Sequence, residues 1–249
     1  ECGAVPSPWL KAYIVPVPKS STNDPRVPLA YRGISLVSCI SKIFTAVLNN
    51  RLKNFLESNS ILADEQNGFR KNRSCEDHIF ILSNIVKKRQ SSNNDTFAAF
   101  IDFRKAFDYV DKDLLLYALL KNGVDGKFYF CAKALYEGTS ACVRVNEEYT
   151  DWFQTSLGVR QGDCLSPTLF SLLINDLLLT LRELDAGVSV AGEKVNCLAY
   201  ADDVVILAER EVDLQRAIET LQEWCKKWQL VINTSKSNIM HFRKKASSS

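Results

Sequence analysis

Cys197-Leu198-Ala199-Tyr200-Ala201-Asp202-Asp203-Val204-Val205-Ile206-Leu207-Ala208 is the stretch whose reading decides the fold. Two short apolar, β-rich runs meet at an acidic turn, which predicts a hairpin carrying Asp202 and Asp203 at its tip. A second run, Thr96-Phe97-Ala98-Ala99-Phe100-Ile101, reads as a buried strand and ends on Asp102. If both elements lie in one sheet, three carboxylates meet at one edge. That much negative charge is unfavourable without a cation, and Mg²⁺ prefers hard oxygen ligands. Two such ions about 3.5–4 Å apart acidify an attacking hydroxyl and hold a leaving phosphate oxygen. Phosphoryl transfer asks for little else. An Asp-Asp pair alone reads as an ordinary turn, and Asp102 alone as a helix cap, so the surroundings decide.

Upstream, residues 1–33 are rich in proline and turn formers around a strand candidate, Ala12–Val17. A helix capped by Ser41 follows, with Ile43, Phe44, Val47, Leu48, Leu52, Phe55 and Leu56 at helical spacing. Gly68 and a basic run form a loop, and a second helix starts near Cys75. Further helices are predicted over Lys112–Leu120 and Gly126–Tyr136, then a hairpin turning at Asn146-Glu147-Glu148. Leu165–Leu184 is a strongly apolar helix opening on Ser166-Pro167, a serine cap with proline at the first helical position. A helix over Val212–Trp228 and a last strand, Leu230-Val231-Ile232, complete an irregular alternation that fits α+β with a largely antiparallel sheet.

The 249 residues suffice for one large domain or two joined subdomains. The formal charge of +2 announces no nucleic-acid partner by itself. Basic runs do occur at Phe69–Arg73, Lys87–Arg89 and Arg243–Lys245, each readable as a solvated face. Eight cysteines, Cys2 among them, are scattered without CxxC pairs, which argues against a zinc site or a disulfide framework. No stretch reaches the roughly 18 apolar residues of a membrane span, and no signal peptide is visible. His78 and His241, the only histidines, read as structural or surface residues.

Set in order, five stretches resemble the reverse transcriptases of non-LTR (LINE-like) retrotransposons. Tyr200-Ala201-Asp202-Asp203 resembles their YxDD box, and Phe100–Asp108, with its Lys105-Ala106-Phe107-Asp108 run, their first aspartate motif. Gly158–Pro167 resembles the GxxQGxxxSP box; Tyr31–Leu36 and Gln66–Ser74 are two further matches. The resemblance implies a right-hand polymerase: fingers over residues 1–95, palm over 96–249, and about 125–160 returning to the junction between them. It implies RNA-directed DNA polymerase activity with two Mg²⁺ ions, Mn²⁺ being a substitute, and an RNA template, a DNA primer and dNTPs as partners. Asp102, Asp202 and Asp203 would hold the metals, with Phe103 beside them, and Lys236 would protonate the leaving pyrophosphate. The dNTP would meet Lys19, Arg32, Phe103, Phe107, Gln161 and Gly162, with Phe107 as a steric gate against ribose. Gly68, Phe69, Arg70, Arg73 and Tyr200 would contact nucleic acid. A surface charge is the competing reading for Lys19, Arg32 and Lys236, and a core phenylalanine for Phe107.

Two departures from the pattern are Gly33, where proline is usual and which would loosen a fingers turn, and Gln229, where glycine is common. The abrupt start and stop read as a piece of a polyprotein, the thumb absent and the endonuclease and thumb regions expected elsewhere in the parent chain. Nucleus and cytoplasm are the compartments such elements use. A degenerate domain that only binds RNA or protein, and a group II intron-type enzyme, are the competing functions; the first would be expected to have lost carboxylates that this chain keeps.

Overall fold

The computed structural model describes residues 3–20, 24, 26–190 and 192–243. Cys2, Lys244 and Lys245 lie outside them. In chain order the elements are β1 (Lys11–Pro18), β2 (Tyr31–Leu36), α1 (Cys39–Ser58), α2 (Cys75–Ser91), β3 (Thr96–Ile101) and α3 (Ala106–Tyr109). Then come α4 (Lys112–Lys121), α5 (Gly126–Tyr136), β4 (Ser140–Val145), β5 (Glu148–Tyr149), β6 (Phe153–Gln154) and α6 (Ser166–Arg182). β7 (Val188–Val190), β8 (Glu193–Val195), β9 (Cys197–Tyr200), β10 (Asp203–Ala208), α7 (Glu211–Trp228) and β11 (Asn238–Phe242) finish the chain.

Two compact units share these elements, one formed by Glu1–Asn59 with Phe107–Leu169 and the other by Ser60–Ala106 with Phe170–Ser249. In the first, β1 lies between β2 (antiparallel) and β4 (parallel), and β4 also pairs with β5 and β6. Its interior polar groups are matched: Thr45 donates to Asp163 at 2.5 Å, Thr168 to Asn49 at 2.6 Å, and the Tyr136 and Ser166 hydroxyls lie 3.0 Å apart. Each pairing avoids the roughly 1–3 kcal/mol that an orphaned buried polar group costs.

In the second unit the sheet order is β11-β3-β10-β9, every pair antiparallel. Ile85 of α2 packs with Ala98, Val188, Leu198 and Leu207 to form its core. Helix α2 opens on a capping box, in which Ser74 Oγ accepts from the Asp77 amide and Asp77 Oδ2 accepts from the Ser74 amide. Trp224 and Trp228 of α7 both donate their indole N–H to one oxygen, Oδ2 of Asp176 on α6, at 3.0 and 2.8 Å.

Four sequence expectations change. Helix α1 begins at Cys39 after Ser38, and Ser41 is buried inside it rather than capping it. Its buried face is Ser41, Thr45, Leu48, Leu52 and Leu56, while Ile43, Val47 and Phe55 are exposed. Leu230-Val231-Ile232 makes only an isolated bridge, Ile232 to Phe103; the last strand is β11. Gly33 lies not in a turn but inside β2, opposite Pro16 and with Ile14 Cγ2 3.0 Å from where a Cβ would stand.

Candidate active site

The register of the second sheet brings the acidic residues together. Tyr200 pairs with Asp203 across the hairpin, and Val204 pairs with Ile101 on the neighbouring strand. One step beyond that last pair, Asp203 faces Asp102. Directly opposed residues in an antiparallel pair have Cβ atoms about 4.5–5.5 Å apart. Partial burial, and then the facing Asp102 charge, push the Asp203 carboxyl above the usual carboxylate range, and the Lys236 ammonium opposes that rise. Asp102, Asp203 and Lys236 therefore share one electrostatic environment. Asp202 occupies the second central position of the same turn, half-buried.

Asp102 is held from the segment after α7. Asn233 donates its side-chain amide to Asp102 Oδ2 at 2.8 Å and its backbone N–H to the Asp102 carbonyl at 2.8 Å. The Asp102 amide donates to Ser237 Oγ at 3.1 Å, and the Lys236 amide closes the turn onto the Asn233 carbonyl. Phe103 turns its ring inward against Trp224, 6.4 Å between centroids, so only its backbone remains for a metal or a nucleotide.

The loop 64–74 adjoins the hairpin through a parallel bridge, Gln66 to Ala199. A Cβ on Gly68 would stand 2.2 Å from the Ala201 nitrogen, so no larger residue fits. Phe69 is partly exposed with φ +60°, a conformation that costs a non-glycine residue about 1 kcal/mol. Arg70 donates to the carbonyls of Ala63 and Gln66, and Arg73 pairs with Asp64 at 2.6 Å, so both cations also brace their own loop. Tyr200 is partly exposed at the end of β9.

In the first unit three of the quoted boxes interlock. Gln161 donates from its side chain to Asp108 Oδ1 at 2.6 Å and accepts at its carbonyl from the Ser35 amide at 2.8 Å. Gly162 has φ +121°, and a Cβ there would lie 2.7 Å from the Ser35 carbonyl oxygen. Arg32 is exposed on β2, Lys19 is exposed just past β1 with its amide bonded to Ala30, and Phe107 is half-buried in α3.

Residues 17–248 match the family model described as reverse transcriptase (RNA-dependent DNA polymerase). The chain belongs to the reverse transcriptase family. It is 31% identical over 238 residues to a probable RNA-directed DNA polymerase from transposon BS of Drosophila melanogaster, covering 93% of this chain and 26% of that protein. It is 28% identical to a Pol polyprotein from a type-1 retrotransposable element R2 of Nasonia vitripennis, covering 88% of this chain and 21% of that one. The polymerase of mobile element jockey from Drosophila melanogaster is 26% identical, over 100% of this chain and 27% of its own length. These relatives are non-LTR retrotransposon polymerases, and this reverse transcriptase chain spans about a quarter of their length. In fold it is similar to apo telomerase from Candida tropicalis, with a TM-score of 0.69 at 15% identity over 99% of this chain and 52% of that one.

Among the described residues, no group of three or more His, Cys, Asp or Glu is drawn together closely enough to hold a metal ion. The opposed pair Asp102 and Asp203, with Asp202 beside it, is an all-oxygen donor set whose own repulsion a hard dication would relieve, and in that respect it fits Mg²⁺. Sequence reading gave no role to Gln66, which bonds to Ala201, or to Asn233 and Ser237, which bond to Asp102. Gln66 and Asn233 stood in motif stretches, Gln66–Ser74 and Asn233–Lys236, but all three contacts span more than 130 residues.

Proposed function

We propose that the chain is the catalytic core of an RNA-directed DNA polymerase that extends a DNA primer on an RNA template with dNTPs. The observation that carries this reading is Asp102 facing Asp203 across adjacent strands, with Lys236 in the same field. Asp102, Asp202 and Asp203 would hold two Mg²⁺ ions, with Mn²⁺ as a substitute and the Phe103 carbonyl as a further oxygen. Bound there, the metals supply acidification of the primer 3′-hydroxyl and charge neutralisation at the leaving pyrophosphate. The carboxylates would fix where that charge is met, Asn233 and Ser237 would orient Asp102, and Lys236 would give a proton to the pyrophosphate oxygen.

For the nucleotide the reading assigns Arg32 and Lys19 to the triphosphate, Gln161 and Gly162 to the base and sugar side, and Phe107 to exclusion of a 2′-hydroxyl. Gly68, Phe69, Arg70, Arg73 and Tyr200 would contact the nucleic acid, and the partly exposed Phe69 offers a face on which a base can stack. Endonuclease and thumb regions belong to the parent polyprotein in this reading.

The test is dNTP incorporation on a primed RNA template with Mg²⁺, using the full parent protein and its Asp202→Asn/Asp203→Asn variant. Loss of incorporation with retained RNA binding is expected. Undiminished synthesis by the double variant would refute the assignment.

A further inference from the structure

The turn that carries Asp202 and Asp203 has an unfavourable residue at its first central position. Ala201 has φ +58°, whereas Asp202 is not among the positive-φ residues. Two-residue hairpin turns with a positive φ at the first central position alone favour glycine there. Alanine has to be held in that conformation by something outside the turn.

That holder is Gln66, fully buried on the neighbouring loop. Its Oε1 accepts from the Ala201 amide at 2.9 Å and from the Gly68 amide at 2.7 Å; its Nε2 donates to the Ala201 carbonyl at 3.3 Å. The two backbone donors fix which end of the side-chain amide is oxygen. Both polar groups of one peptide residue are thereby clamped by one side chain. The clamp is itself anchored. The Asn67 amide donates to the Ala199 carbonyl at 2.9 Å, and the Ala199 amide donates to the Glu65 carbonyl at 2.8 Å. His78 Nε2 meets the same Ala199 carbonyl at 3.0 Å. Gly68 leaves the room that the approach requires, because its Cβ would strike the Ala201 nitrogen.

We infer that Gln66 is a positioning residue for the catalytic turn: by holding the N–H and C=O of Ala201 it fixes the backbone conformation that aims Asp202 and Asp203 at the metals. The inference rests on the metal role proposed for those carboxylates. It gives the loop 66–70 a task inside the protein in addition to any contact with template or primer.

The experiment uses the full parent protein and reads Mn²⁺ affinity by electron paramagnetic resonance together with the Mg²⁺ dependence of single-nucleotide incorporation. Gln66→Met keeps the side chain's length and removes its hydrogen bonds. Metal affinity is expected to fall about tenfold, the loss usual when a partner orienting a ligand is removed. Affinity for the RNA–primer duplex should stay unchanged. Adding Ala201→Gly to Gln66→Met should restore most of the lost metal affinity, since glycine adopts the positive φ unaided. A residue that merely packs would not be rescued in this way.

Wild-type Mn²⁺ affinity in Gln66→Met, or failure of Ala201→Gly to restore it, would overturn the inference. If Gln66→Met does not fold, Gln66→Asn, too short to reach Ala201, is read by the same two criteria. Asp202→Asn/Asp203→Asn separates the two levels. Retained metal binding there refutes the metal site itself. Loss there beside a wild-type Gln66→Met refutes the clamp alone.

Discussion

Asn233→Ala tests how the site is held from a direction that the motif residues do not reveal. The substitution deletes the 2.8 Å bond from the Asn233 side chain to Asp102 Oδ2 and the bond that Ser235 gives to Asn233 Oδ1. It leaves the backbone bonds from Asn233 to the Asp102 carbonyl and from Lys236 to the Asn233 carbonyl, so the turn itself persists. A hydrogen bond to an ionised carboxylate contributes about 1.5–3 kcal/mol net. Asp102 and Asn233 are half-buried, so solvent takes over part of that role and the lower end applies. A loss of about 1.4 kcal/mol is a factor of ten in an equilibrium constant. The Mg²⁺ concentration at half-maximal incorporation should therefore rise about tenfold, with the maximal rate largely recovered at saturating Mg²⁺. The assay is single-nucleotide extension of a DNA primer on RNA across a Mg²⁺ series. A variant with wild-type Mg²⁺ dependence and a uniformly lower rate would refute the reasoning, because the bond would then not act through the carboxylate.

Asp176→Ala should destabilise the protein by about 2–4 kcal/mol in urea unfolding, since it orphans two indole donors. Asp176→Asn keeps an oxygen able to accept both, so its cost should be clearly smaller; equal costs would show that the shared acceptor is not what matters. Gln229 ends α7 with φ +55°, so Gln229→Gly should stabilise by about 1 kcal/mol, measured the same way, and a loss of stability would refute that account. Burial holds the His78 imidazole below its ordinary range. The unfolded chain therefore takes up the proton first, and stability present above about pH 6.5 is lost as the pH falls below it. Comparison of urea midpoints at neutral and mildly acidic pH with those of His78→Gln should show a flatter dependence in the variant.

Much of the second unit was legible because its strands are short apolar runs bounded by turns. Thr96–Ile101 ending on Asp102, and the hairpin around Asp202, appear where the pattern places them. β11 was not legible, because an edge strand reading Asn-Ile-Met-His-Phe with four exposed residues carries no core period. Leu230-Val231-Ile232 looked more strand-like but is too short to do more than bridge Phe103. The overlong apolar stripe of α1 shows the converse: Ile43 and Val47 have the right spacing for burial and stay exposed. Singling out the carboxylates as candidates took the family boxes in their order, since the local pattern alone reads as a turn and a cap. The side chains that position them, Gln66, Asn233 and Ser237, act through contacts made only in the folded chain, which local pattern does not encode.

The register of the second sheet joins residues that leave the ribosome far apart in time. Asp102 emerges early, but the residue it faces is Asp203, and the groups that hold it, Asn233 and Ser237, come later still. The central strand β1 of the other sheet likewise waits for β4 before its second edge is covered. Pairings of such long sequence separation form slowly and leave open strand edges meanwhile. A nascent chain stalled anywhere short of Ser237 thus carries Asp102 without the hydrogen bonds that Asn233 and Ser237 make to it.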